Sequence, residues 1–232
     1  MKIGIIQPGR LGDMFILIPA MKHLHDQGNE IIWPVFENYI WMFNDVIDYI
    51  NFLPVKNNVY TAVNESHNLL KLHNVDIVND LAATFPNSMA TQPYVDSGDG
   101  NILPYDKFKY DRLELPVDLK WNLRDCINRN YNKENELYNK LVTNEKYAVI
   151  NPTCSSGRYN INFDASGGQV IEVTTEYNIF HWIKILENAQ TIVLLNSGML
   201  CLVDQLNITN RKIVFKIPSD KLPILRNEWK II

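Results

Sequence analysis

The sequence predicts an α/β protein built on parallel sheets, and three observations carry that. The first is the opening stretch, MKIGIIQPGRLGDMFILIPAMKHLHD. It holds a short apolar run, a turn with Gly9 and Gly12, then Phe15, Leu17, Ile18, Met21 and Leu24 at roughly helical spacing. The second is an alternation of strand-like and helix-like segments after it. The third is a second strand-to-turn-to-helix passage far downstream, TIVLLNSGMLCLVDQL.

Taken in order, residues 2–6 suit a buried parallel strand because they are apolar without alternation. EIIWPV (30–35) reads as a second strand, with Pro34 marking its end or an edge because it lacks an N–H. Residues 37–45, with Tyr39, Ile40, Trp41, Met42 and Phe43, read as a short helix. DYINFLPV (48–55) is a third strand, 57–72 a helix, and VDIVNDL (75–81) a fourth strand. Residues 82–104 are rich in Pro, Gly, Ser and Asp and long for a connection. Such a segment is a lid, a binding loop or a plain solvent loop.

Residues 105–144 read as helical material joining two halves, with Leu123, Ile127, Tyr131, Leu137 and Leu141 at helical spacing. Lys107, Lys109, Arg112, Lys120, Arg124 and Arg129 are interspersed with Asp106, Asp111, Glu114, Asp118 and Asp125. That mixture reads as a solvated surface and not as a basic patch. YAVIN (147–151) opens a second strand-led unit. After it, Ser155, Ser156 and Gly157 before Arg158 form either an ordinary Ser-Gly turn or a small turn facing a phosphate. Hydroxyls, backbone N–H groups and one guanidinium suit a diphosphate. QVIEV (169–173) is a strand, and a helix over Ile179, Phe180, Trp182, Ile183 and Leu186 follows. TIVLL (191–195) is a buried strand running into the turn Asn196, Ser197, Gly198. KIVFKI (212–217) is the last strand, and Ser219 opens a helical or extended tail.

The bulk properties narrow the function. The 232 residues suffice for one large domain or two small ones. A net charge of -4 gives no general basic footprint for nucleic acid. No apolar run approaches the ~20 residues that span a bilayer, and the start turns polar too soon for a signal peptide. Cys126, Cys154 and Cys201 form no C-x-x-C pair, which argues for a reducing compartment, hence the cytoplasm, and against a zinc site. The five histidines form no ligand set and read as surface or packing residues. About one residue in eight is asparagine, a bias associated with AT-rich genomes such as those of many phages.

Asp13 is the residue to weigh. Read locally, it is an acid in the first turn of a helix, complementing the helix dipole by about 0.3–1 kcal/mol. It is also a carboxylate at the carboxyl edge of a sheet, where ligands of α/β proteins bind. The turn G-x-x-G-D matches neither the dinucleotide fingerprint nor a Walker motif.

This stretch, with Gly12, Asp13 and Pro19, resembles the N-terminus of glycosyltransferase family 9, the lipopolysaccharide heptosyltransferases. Those enzymes open with a strand, a turn ending in G-D and a helix carrying an early proline. Their later D-S-G-P-x-H passage is similar to the turn at 196–198, which keeps Ser197 and Gly198. Asn196 replaces the aspartate, Met199 the proline and Cys201 the histidine, and Cys201 reads as a small packing residue.

The resemblance implies a GT-B-like fold, two Rossmann-like domains facing a cleft. The expected division is an acceptor-side domain over 1–144 and a nucleotide-sugar-binding domain over 145–232, the latter abbreviated between YAVIN and QVIEV. It implies transfer of a sugar from a nucleotide-sugar donor, a co-substrate and not a cofactor, to an acceptor hydroxyl, with inversion. Asp13 would be the base, Arg158, Ser155, Ser156, Asn196, Ser197 and Gly198 would meet the donor, and Arg10, Gly12 and the 82–104 loop the acceptor, a saccharide, a lipid or a modified DNA base. The absence of a D-x-D triplet favours a metal-free design in which helix N-termini, hydroxyls and arginine carry phosphate charge. Two rivals remain at this stage: a binding module that has lost transfer, and a phage-type enzyme acting on modified DNA bases.

Overall fold

The computed structural model describes residues 1–83, 85–90, 104–163, 167–216, 222–226 and 228–232. Most of the 82–104 loop and the start of the tail at Ser219 lie outside the described residues.

The first sheet has four strands, β1 (Lys2–Ile6), β2 (Glu30–Phe36), β3 (Ile50–Val55) and β4 (Ile77–Asp80). All pairings are parallel, in the order β3-β2-β1-β4. The crossovers are α1 (Leu11–Asp26), α2 (Glu37–Asn44) and α3 (Ala62–Leu72). β1 is flanked by a strand on each side and its Ile3, Ile5 and Ile6 are buried, which is why it reads as an unbroken apolar run. Pro34 does not end β2. Pairing with β1 stops at Ile32, and the strand continues to Phe36 beside β3 alone. The missing N–H therefore falls where only one flank needs a ladder.

On one side of the sheet Phe43 stacks on Phe52 at 5.3 Å and Trp33 lies 6.0 Å from Phe52. A second apolar cluster contains Ile6, Ile32, Phe36, Leu70 and Phe85. After β4 come α4 (Tyr105–Arg112) and a 3-10 stretch, Val117–Cys126, both packed on α1. Most of this region's charges lie at the surface, as their mixture predicts: Asp111, Arg112, Glu114, Asp118, Arg124 and Asp125 are exposed. Three depart from that. Asp106, Lys109 and Lys120 are buried, because Lys120 pairs with Asp106 and Lys109 with Asp13. Charges enter a core when they are paired.

The second sheet contains β5 (Tyr147–Asn151), β8 (Gln169–Glu172), β9 (Thr191–Leu195), β10 (Arg211–Phe215) and β11 (Trp229–Ile231), all parallel in the order β11-β10-β9-β5-β8. β6 (Thr153–Cys154) and β7 (Gly157–Arg158) form a small antiparallel hairpin. The helices are α5 (Tyr131–Leu141), α6 (Ile183–Asn188), which continues a 3-10 turn at Ile179–Trp182, and α7 (Gly198–Gln205). Among the described residues no helix lies between β5 and β8, where the sequence predicts abbreviation; the hairpin stands there instead.

The chain divides into two units, Met1–Ile127 and Asn128–Ile232, where the sequence places a boundary at 144. The difference is α5. It packs on α6 and the 3-10 turn, and Arg129 ahead of it is clamped by Glu134 on α5 and by Glu187 on α6, the latter through two bonds of 2.9 Å. No described helix is long and apolar enough to cross a membrane.

Candidate active site

In the first sheet the chain runs β1, β2, β3 outward and then returns to place β4 on the other flank of β1. That reversal opens a crevice at the carboxyl ends of β1 and β4, the place where open α/β sheets bind ligands. The turn QPGRLGD follows β1 there, and residues 81–83 and 85–90 follow β4.

Gly9 is required there by close approach: a Cβ on it would lie 2.3 Å from the Phe36 ring. Arg10 takes a left-handed backbone, φ 62°, immediately before α1, a conformation that costs a side-chain-bearing residue about 1–2 kcal/mol. Its guanidinium lies 5.7 Å from the Phe85 ring centroid. Gly12 and Asp13 then occupy the first turn of α1, half-buried, with the acid at the positive end of the helix dipole.

Asp13 is held by Lys109, whose Nζ lies 3.2 Å from Oδ1. The same ammonium donates to the Gln7 side-chain oxygen at 2.5 Å and to the Leu81 carbonyl at 2.8 Å. Gln7 is itself fully buried, donates to the Gly9 carbonyl at 2.9 Å, and accepts the Trp33 indole N–H at 3.0 Å on its backbone carbonyl. Asp80, the last residue of β4, accepts the Ser88 hydroxyl at 2.8 Å and the Met89 N–H at 2.7 Å, which ties down the facing loop. Burial pushes the Lys109 pKa below the ordinary lysine value, and the Asp13 carboxylate opposes that shift.

The second sheet has the same reversal, between β5 and β9. Asn151 ends β5 and donates to the Ser197 hydroxyl at 3.0 Å, across the reversal. Ser197 in turn donates to the Leu195 carbonyl at 3.1 Å. Asn196, Ser197 and Gly198 are half-buried at the head of α7. Ser155 and Ser156 are exposed at the hairpin tip between β6 and β7. Arg158 is exposed on β7 and makes a two-pronged pair with Glu172 at the end of β8, its Nη2 2.8 Å from Oε2. Arg158 holds the Glu172 carboxyl below the usual carboxylate range.

The sequence-predicted residues thus fall into three groups, one at each sheet reversal and one on the hairpin after β5. Arg10, Gly12 and Asp13 share the first, and Asn196, Ser197 and Gly198 the second. Arg158, Ser155 and Ser156 lie on the hairpin after β5. Sequence reasoning missed Gln7, Lys109, Asn151 and Glu172. Two signals were available: Gln7 is a polar residue directly after an apolar strand, and Lys109 sits between Phe108 and Tyr110. A shallow depression of about 570 Å³, lined in part by His25, Asn29 and Asp48, lies at the amino ends of β2 and β3, the opposite edge from Asp13. Among the described residues no cluster of three or more His, Cys, Asp or Glu is arranged to hold a metal.

No family model matches the sequence, and no curated protein matches it significantly. Solved structures do match. Escherichia coli ADP-heptose lipopolysaccharide heptosyltransferase II superposes with a TM-score of 0.60 at 14% identity, over 100% of this chain and 90% of that one. A family 9 glycosyl transferase from Veillonella parvula gives 0.55 at 11%, over 100% and 85%. The E. coli heptosyltransferase WaaC, solved with ADP-2-deoxy-2-fluoro heptose, gives 0.53 at 13%, over 100% and 93%. This chain has the fold of these glycosyltransferases. Its GT-B-like plan is two Rossmann-like units, each with its polar residues gathered where the strand order reverses.

Proposed function

We propose that the protein is a glycosyltransferase that moves a sugar from a nucleotide-sugar donor to an acceptor hydroxyl without a metal ion and with inversion. The observation that carries this reading is Asp13. It is a carboxylate on the first turn of α1, at the reversal of the first sheet, held on one oxygen by a buried lysine. The shared fold with heptosyltransferases supports it.

In this reading the first unit binds the acceptor and the second the donor. Lys109 engages Oδ1, which leaves Oδ2 to take the acceptor proton. The hydroxyl O–H bond breaks as its oxygen attacks the anomeric carbon, and the carbon–oxygen bond to the diphosphate breaks with its electron pair leaving on the diphosphate. One such displacement inverts the anomeric centre. General-base help of this kind contributes about 10²–10⁴-fold. Ser197, Gly198 and Asn196 at the head of α7 receive the departing diphosphate, and Arg158 turns from Glu172 to neutralise it. Arg10 and Gly12 border the acceptor.

A panel of nucleotide sugars tests the reading, first by thermal shift, since a ligand of the folded state raises apparent stability, then by mass spectrometry of the products. The expected result is stabilisation by one donor class and transfer to an added acceptor. Stabilisation without any transfer would leave a binding module. Salt-sensitive binding to DNA would indicate a DNA-base acceptor.

A further inference from the structure

The Lys109 ammonium carries three protons, and three acceptors surround it: Asp13 Oδ1 at 3.2 Å, Gln7 Oε1 at 2.5 Å and the Leu81 carbonyl at 2.8 Å. Each donor is spoken for, and the side chain is 5% exposed against 16% for Asp13. A lysine in that state has no proton left to offer a phosphate or a sugar. Its acceptors come from three places: the end of β1, the first turn of α1 and the residue after β4. Two of them are neutral and one is an anion, so the charge is directed at Asp13.

We propose that Lys109 is a positioning residue for Asp13. Its ammonium is pinned by Gln7 and Leu81, fixes the direction of the Asp13 carboxylate, and supplies the counter-charge it needs before the acceptor arrives. This rests on the reading of Asp13 as the base. No proton passes to Lys109 during transfer. The acceptor proton goes to Asp13 and then to solvent, and the ammonium keeps its three.

The charged groups facing Lys109 are Asp13, Arg10 and Asp80. Burial and Arg10 lower its pKa, while the two aspartates raise it. The counter-charge is therefore lost as pH rises through a value below that of an ordinary lysine. Turnover should fall on the alkaline side with it.

Two measurements test this. The first is an NMR titration of the ¹⁵N-labelled Lys109 ammonium in the wild type and in Asp13→Asn, which needs no sugar transfer. The midpoint is expected to drop in Asp13→Asn, and an unchanged midpoint would overturn the proposal whatever the fate of the enzymatic reading. The second is the pH dependence of kcat. In the wild type its alkaline limb is expected to share the Lys109 midpoint, and a rate that stays flat through that midpoint would overturn the proposal without any variant having to fold. Lys109→Met is expected to lower kcat about 10-fold to 100-fold, to leave the donor KM within about twofold if the donor sits on the second unit, and to abolish the alkaline limb. If the midpoints are coupled but no sugar is transferred under any condition, the ion pair is structural, and both the base assignment and the positioning role fall.

Discussion

The two sheet reversals are built alike and charged differently. Each carries an amide side chain at the end of its first strand, Gln7 beyond β1 and Asn151 in β5, and each amide reaches into a neighbouring turn. At the first reversal the amide pins a buried ammonium that faces Asp13. At the second it meets a hydroxyl, Ser197, in a half-buried turn, while the nearby ion pair, Arg158 with Glu172, is exposed. The difference teaches how one plan can carry two kinds of chemistry. A buried, saturated charge network holds one carboxylate in one direction. Neutral groups and an exposed arginine exchange partners at small cost, which suits the donor role proposed for them.

The comparison can be broken first through stability. If the first unit depends on buried paired charge, Lys120→Met, which removes the ammonium paired with the buried Asp106, is expected to cost about 3–5 kcal/mol in denaturant unfolding. A loss near zero would mean that the charge is not structural. At the second reversal Ser197→Ala removes the acceptor of Asn151 and is expected to cost about 1–3 kcal/mol in the same assay. A larger loss than that of Lys120→Met would invert the contrast.

Smaller effects sharpen it. Arg158→Ala is expected to leave the melting temperature unchanged and to weaken binding of a nucleoside diphosphate more than that of the nucleoside, measured by calorimetry. Glu172→Gln frees the guanidinium and should do the reverse. Equal loss of both ligands in Arg158→Ala would remove Arg158 from the phosphate. EDTA should leave donor binding unchanged. The smallest effect is at the thiols. Burial pushes the Cys126 thiol up to about 12, while Cys154 is only half-buried. Alkylation at pH 8 should therefore label Cys154 and spare Cys126 by mass spectrometry, and rapid labelling of Cys126 would show the first unit to be looser than described.

Much of this was legible in the chain because it is local. β1, its glycine turn and α1 follow from apolar runs and spacing, and Asp13 from its place in them. TIVLL followed by NSG was legible for the same reason. Lys109 was not. Its partners lie at residues 7, 13 and 81, and a lysine in a charge-rich segment reads as solvated until the fold brings an acid to it. Arg158 was seen as part of a turn, but its partner Glu172 sits on a strand that only the parallel pairing with β5 brings near. Pro34 marked an end or an edge, and only the sheet decides between them: one flank is unpaired there while the strand runs on to Phe36.

The central claim is that Asp13 takes the acceptor proton. Its most direct test is the rate of sugar transfer by Asp13→Asn beside the wild type, with a melting curve for each. Asparagine keeps the size of the side chain and an oxygen toward Lys109 but accepts no proton. Turnover is expected to fall about 10²–10⁴-fold with donor affinity retained and the folded state intact at the assay temperature. Near-normal turnover by a folded Asp13→Asn protein would contradict the account and leave Asp13 as a helix-terminal acid.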